Sequence, residues 1–152
     1  MKKKSFPIRE YTVAAVTGGV AYSFLEILWR GYTHWSMILA GALAAILLYG
    51  IREHCRSVPL SVRCLLGTAG ITLVEFGIGC VVNLWWGLEV WDYSDMPFNL
   101  FGQICPTFSV LWFFLCLPAY WLCGQIRNFC RSTEESRPLP QKKNGKTGQT
   151  AV

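Results

Sequence analysis

Charge is scarce in this chain. Of 152 residues, 15% are charged and 53% are hydrophobic. A soluble domain of this size needs a far more polar surface. Histidine is nearly absent, and the seven cysteines include no C-x-x-C pair. Zinc binding and dithiol redox chemistry therefore lack ligands at the usual spacing. There is no H-E-x-x-H and no G-x-S-x-G, so the common metalloprotease and hydrolase signatures are missing too. Gly145-Lys146-Thr147 matches the end of a phosphate-binding loop, but Pro140 holds the first glycine position and no strand precedes it. The sequence is read as that of a non-enzyme with no catalytic residue, no metal site and no cofactor. Any ATP used must then be bound by a separate subunit.

What is present is four long hydrophobic blocks, at residues 11–28, 35–51, 64–84 and 101–123. Each approaches the ~20 residues needed to cross a hydrocarbon core of about 30 Å. The expected fold is an all-α membrane protein whose four transmembrane helices form two hairpins. Residues 1–10 form a basic lead and residues 11–126 the transmembrane domain. Residues 127–152 form a polar cytoplasmic tail, with Pro138, Pro140 and Gly145, expected to be disordered. The lead and first block resemble a signal peptide. No clean small-x-small site follows, so the segment is expected to be retained as a span.

Charge placement sets the topology. Lys2, Lys3, Lys4 and Arg9 precede the first span, and Arg52, Arg56 and Arg63 separate the second from the third. Arg127, Arg131, Arg137, Lys142, Lys143 and Lys146 follow the fourth. Of the 14 cationic residues, Arg30 alone falls on the other side. The positive-inside rule makes the basic side cytoplasmic, with both termini inside. The net charge of +5 is thus a topology signal and not a nucleic-acid footprint. Cys55, Cys64 and Cys130 fall on the reducing side, and Cys105 has no obvious mate, so no disulfide framework is expected.

Two spans carry a glutamate: Glu26 in the first and Glu75 in the third. Such carboxylates are costly in lipid and are paired, buried or used on a pathway. On the third span, Thr68, Thr72, Glu75, Gly79 and Asn83 share one helical face. Glu26, Glu75, Asn83 and Thr72 are the candidate lining of a polar substrate path. The competing structural reading pairs Glu26 with Arg30 one turn later and caps Glu75 with Thr72 or Asn83. On the fourth span, Gly102, Cys105, Ser109, Cys116, Ala119 and Cys123 form a small face suited to helix contact. Pro118 should kink that helix. Aligning the two glutamates also gives a weak internal repeat.

The outer turns hold the other candidates. Arg30 and His34 lie among Trp29, Tyr32 and Trp35, which suit the aromatic belt of a membrane interface. The second outer turn, residues 85–100, contains Trp91, Asp92, Tyr93, Ser94, Pro97 and Asn99. Asp92 and Ser94 can stabilise a turn, and Asn99 can cap the fourth helix. The same loop, acidic and aromatic, can bind a cation or shape an entrance.

The run Trp91-Asp92-Tyr93-Ser94-x-x-Pro97-x-Asn99-x-x-Gly102-x-Ile104-Cys105 resembles that of small bacterial membrane proteins described as ABC-transporter permeases, the CmpB-like group. Trp29-Arg30-Gly31 after Glu26, and Thr33-His34-Trp35-Ser36, fit the same resemblance, which covers about residues 11–126. It implies a multi-pass protein of a bacterial plasma membrane with a transport role. It supplies no defined substrate or catalytic residues. Four spans are few for such a permease, so a homo-oligomer or a partner membrane subunit is expected in the bilayer. The alternatives are a non-transporting assembly protein and, behind it, a membrane-embedded enzyme acting on lipid.

Overall fold

The computed structural model describes residues 8–135. Four helices form in the expected order: α1 (Ile8–Arg30), α2 (Trp35–His54), α3 (Leu60–Gly79) and α4 (Pro106–Glu135). All four are long and apolar enough to cross a membrane. Among the described residues there is no strand, only a single bridge between Leu100 and Ile104. The first three helices start and stop close to their hydrophobic blocks. They overrun by a few polar residues, because backbone hydrogen bonding outlasts apolarity.

The outer surface is apolar. Val16, Val20, Leu73, Phe114 and Trp121 are each 60% exposed or more. In water such a surface would drive association; in lipid it is the solvated state. Trp29, Trp85 and Phe98 are also well exposed, at the loop ends of α1 and α3 and in the following loop, where interfacial aromatics belong.

The interior is small and specific. Tyr49, Cys64, Cys116 and Cys130 are essentially fully buried, with Trp112, Tyr120, Cys123 and Ile126 beside them. On α4 these residues recur at steps of three or four, the seam expected where helices interlock. All seven cysteines are free thiols. Helices α1 and α2 approach so closely at Gly18 and Gly41 that a Cβ on Gly41 would sit 2.5 Å from the Cβ of Tyr22 and 2.7 Å from the Gly18 carbonyl oxygen. Small residues permit this backbone contact, and packing of that kind drives helix association in lipid.

Two departures from the sequence reading shape the site. The fourth helix begins at Pro106 and not near residue 101. Phe101 and Gly102 have φ of +52° and +68°, which no right-handed helix accommodates. Pro106, with its fixed φ and no N–H, suits the first helical position. Gly102 and Cys105 therefore leave the expected small face and belong to the loop. At its other end α4 continues through Pro118 and on to Glu135, where Ser132 and Thr133 bond the carbonyls four residues back. The stretch 127–135 is thus helical, while the rest of the expected disordered tail, 136–152, lies outside the described residues, as do the lysines of the basic lead.

The second departure is in α3. Beyond Gly79 the helix widens into a π-helical turn, Cys80–Trp85. Such turns are rare and concentrate at functional places. This one carries Asn83 and leads into the loop 86–105.

Candidate functional site

Glu75 stands at the centre of the bundle. It lies on α3, and only 8% of its surface is accessible. Neither Thr72 nor Asn83 caps it, contrary to the sequence expectation. One carboxylate oxygen accepts from the Tyr93 hydroxyl at 3.1 Å. The other accepts from Trp112 Nε1 at 2.9 Å. Tyr93 arrives from the loop and stacks on Phe108 of α4, ring centroids 4.5 Å apart. Tyr22 of α1 lies 5.7 Å from the Trp112 ring and within electrostatic range of Glu75. The carboxylate thus sits in an aromatic box built by all of α1, α4 and the loop. Among the described residues no cation pairs with it.

Thr72 turns instead toward α4, its hydroxyl 3.3 Å from that of Ser109. Thr68, one turn earlier, lies beside the Cys116 thiol. Of the predicted stripe, Glu75, Gly79 and Asn83 are buried, while Thr68 and Thr72 are half-buried. Its upper members engage the loop, and its lower members engage α4.

Asn83 is the clamp of the loop. Its amide nitrogen donates to the Trp91 carbonyl at 2.9 Å and to Gln103 Oε1 at 2.8 Å. Its oxygen accepts from the Val90 N–H at 2.8 Å. Gln103 in turn accepts the Trp91 indole N–H on its backbone oxygen at 3.1 Å. Trp91 is buried and finds the partner that a buried indole requires.

Glu26 does not meet Glu75. It forms an ion pair with Arg30 and accepts from the Thr33 hydroxyl at 2.7 Å. Tyr22 is within electrostatic range of both carboxylates. Arg30 also donates to the Val90 carbonyl at 2.6 Å, and its guanidinium lies 4.8 Å from the Tyr32 ring centroid. Val90 is thus gripped on one side by Arg30 of α1 and on the other by Asn83. His34 caps α2, its Nδ1 accepting from the Ser36 N–H at 3.3 Å.

Within the loop, Asp92 and Ser94 form the expected turn. Asp92 Oδ1 accepts from the Ser94 N–H at 2.8 Å and from the Ser94 hydroxyl at 2.5 Å. Those two donors hold its carboxyl below the ordinary carboxylate range. Burial, then the Glu75 carboxylate, pushes the Tyr93 phenol above its ordinary range. Asn99 does not cap α4. Its side chain bonds the Ser94 and Met96 carbonyls and the Gly102 N–H instead, because six residues of loop still separate it from Pro106. Gly102 is required by its positive φ and by space: a Cβ there would lie 2.5 Å from Asp92 Oδ1. Pro97 is exposed at the loop tip in the turn that Asn99 closes.

The family model described as "Putative ABC-transporter type IV", of CmpB type, matches residues 15–137. The chain belongs to this family. Together with the four apolar helices, membership makes it a multi-pass membrane protein. No curated protein and no solved structure matches. The loop motif that carried the family resemblance is the loop gripped by Arg30, Asn83 and Glu75. Two contributors, Trp112 and Gln103, were not candidates from the sequence, and Tyr22 was legible only as sharing a helical face with Glu26 and Arg30. For Trp112 a signal existed, since an indole N–H within a span needs an acceptor, and Glu75 is among the few acceptors available. Among the described residues no group of three or more His, Cys, Asp or Glu side chains gathers for a metal.

Proposed function

We propose that this chain is the permease-type membrane subunit of an ABC transport system in a bacterial plasma membrane, with ATP hydrolysed on a separate subunit. The observation that carries the reading is Glu75. It is buried within a span, held by two neutral donors, and one of those donors comes from the loop. A carboxylate in such a position without a cation is costly in lipid. Its aromatic surroundings suit a cationic group, which favours both the carboxylate and the ring faces. Tyr93 then closes the site, and release of loop 86–105 exposes Glu75 to substrate. Thr72 continues the polar face below Glu75, and Asn83 is the hinge of the closure. Glu26 and Arg30 serve as its anchor on α1. Asp92, Ser94, Pro97 and Asn99 keep the loop in shape.

A second reading, an assembly protein that transports nothing, is favoured by one observation: Glu26 and Asn83 are fully engaged in internal contacts. Glu75→Gln separates the two. Glutamine keeps the shape and one acceptor oxygen while removing the charge. In the complex isolated from native membranes, the transport reading expects normal assembly and ATP turnover lowered about tenfold or more, the loss of one charge-dependent contact. Unchanged turnover would favour the assembly reading. Failure of the variant to accumulate as folded protein would make Glu75 a structural residue.

A further inference from the structure

At the opposite end of the bundle four arginines converge. Arg52 lies in the last turn of α2, Arg56 in the following loop, Arg63 in the first turn of α3 and Arg127 on α4. They line one cavity of about 170 Å³. Among the described residues a single carboxylate pairs with them. Glu53 accepts from Arg127 at 2.8 Å, Arg56 at 2.5 Å and Arg52 at 3.2 Å. Arg63 is left outside that group. Its Nε is buried without a hydrogen-bond partner, and its guanidinium lies 5.8 Å from the Tyr120 ring centroid. Four guanidinium groups against one carboxylate leave the cavity strongly positive, and like charges held this close repel unless an anion intervenes.

We propose that this cavity binds a phosphate group, supplied by the headgroup of an anionic phospholipid. Planar guanidinium forks match phosphate oxygens bidentately, which a lysine ammonium does not. The depth also fits. The cavity lies where the apolar spans end, and the α3 surface beside it is apolar and exposed at Leu60, Val62, Leu65 and Leu66. Acyl chains can lie along that surface while the phosphate enters the cavity. The inference stands apart from the transport reading, which concerns the other end of the molecule.

The test uses the full chain in detergent, with short-chain phosphatidylglycerol, short-chain phosphatidylcholine and inorganic phosphate as probes. Binding is followed by native mass spectrometry and by thermal unfolding. Phosphatidylglycerol should bind in preference to phosphatidylcholine. Arg63→Gln should weaken it about tenfold, the loss expected for one charge-assisted hydrogen bond. Arg56→Gln, at a half-exposed side chain, should weaken it in the same direction if Arg63→Gln does not fold. Glu53→Gln should bind at least as tightly as the native chain, since a competing acceptor is gone. Inorganic phosphate binding as tightly, with the same arginine dependence, would support the phosphate site and overturn the lipid as its source. Equal binding of all probes, or binding indifferent to both arginine substitutions, would overturn the site.

Discussion

Glu26 and Glu75 look alike in sequence and are treated oppositely by the fold. Glu26 has a guanidinium one helical turn away and a threonine hydroxyl, so its charge is answered locally. Glu75 has an indole N–H and a phenol, both neutral and both distant in the chain. Trp112→Phe removes one donor and leaves a buried carboxylate oxygen unpaired. It should lower stability by about 1–3 kcal/mol, read as a fall in the thermal midpoint of the detergent-solubilised protein. A midpoint equal to that of the native chain would mean that the Trp112–Glu75 bond is not formed. The Glu26–Arg30 pair was legible from its four-residue spacing. The partners of Glu75 were not, because side chains 18 and 37 positions away leave no periodic trace.

At the scale of the element, hydrophobic run length alone located the four helices, since in lipid backbone hydrogen bonding must be met internally and helices meet it. What it missed was local backbone chemistry. The positive φ of Phe101 and Gly102 moved the start of α4, and the helix ends in a π-helical turn whose Asn83 bonds the loop. Apolarity does not report either. Asn83→Ala removes three buried hydrogen bonds and should loosen the loop 86–105 while leaving the helices intact. Hydrogen exchange in that segment should speed up, with no change in helical circular dichroism; unchanged exchange would mean that the loop is held elsewhere. Gly41→Leu belongs to the same scale. It forces α1 from α2 at their closest approach and should cost about 1–3 kcal/mol or more, as overpacking does, seen as a lower thermal midpoint in detergent.

Across the whole molecule the two ends differ in kind. One end gathers aromatic and acidic side chains around a closed loop over Glu75. The other gathers arginines around Glu53. Charge asymmetry along the chain implies one basic side, but not that Arg52, Arg56, Arg63 and Arg127 meet in one cavity, since helix packing brings Arg127 back from 64 positions beyond Arg63. On the proposed transport reading, ATP is hydrolysed by a separate subunit. The most direct measurement is to isolate the protein gently from native membranes and weigh the intact complex by native mass spectrometry. An ATPase in fixed stoichiometry with this chain is the predicted result. A homo-oligomer alone, or a complex with membrane proteins that hydrolyse no ATP, would contradict it.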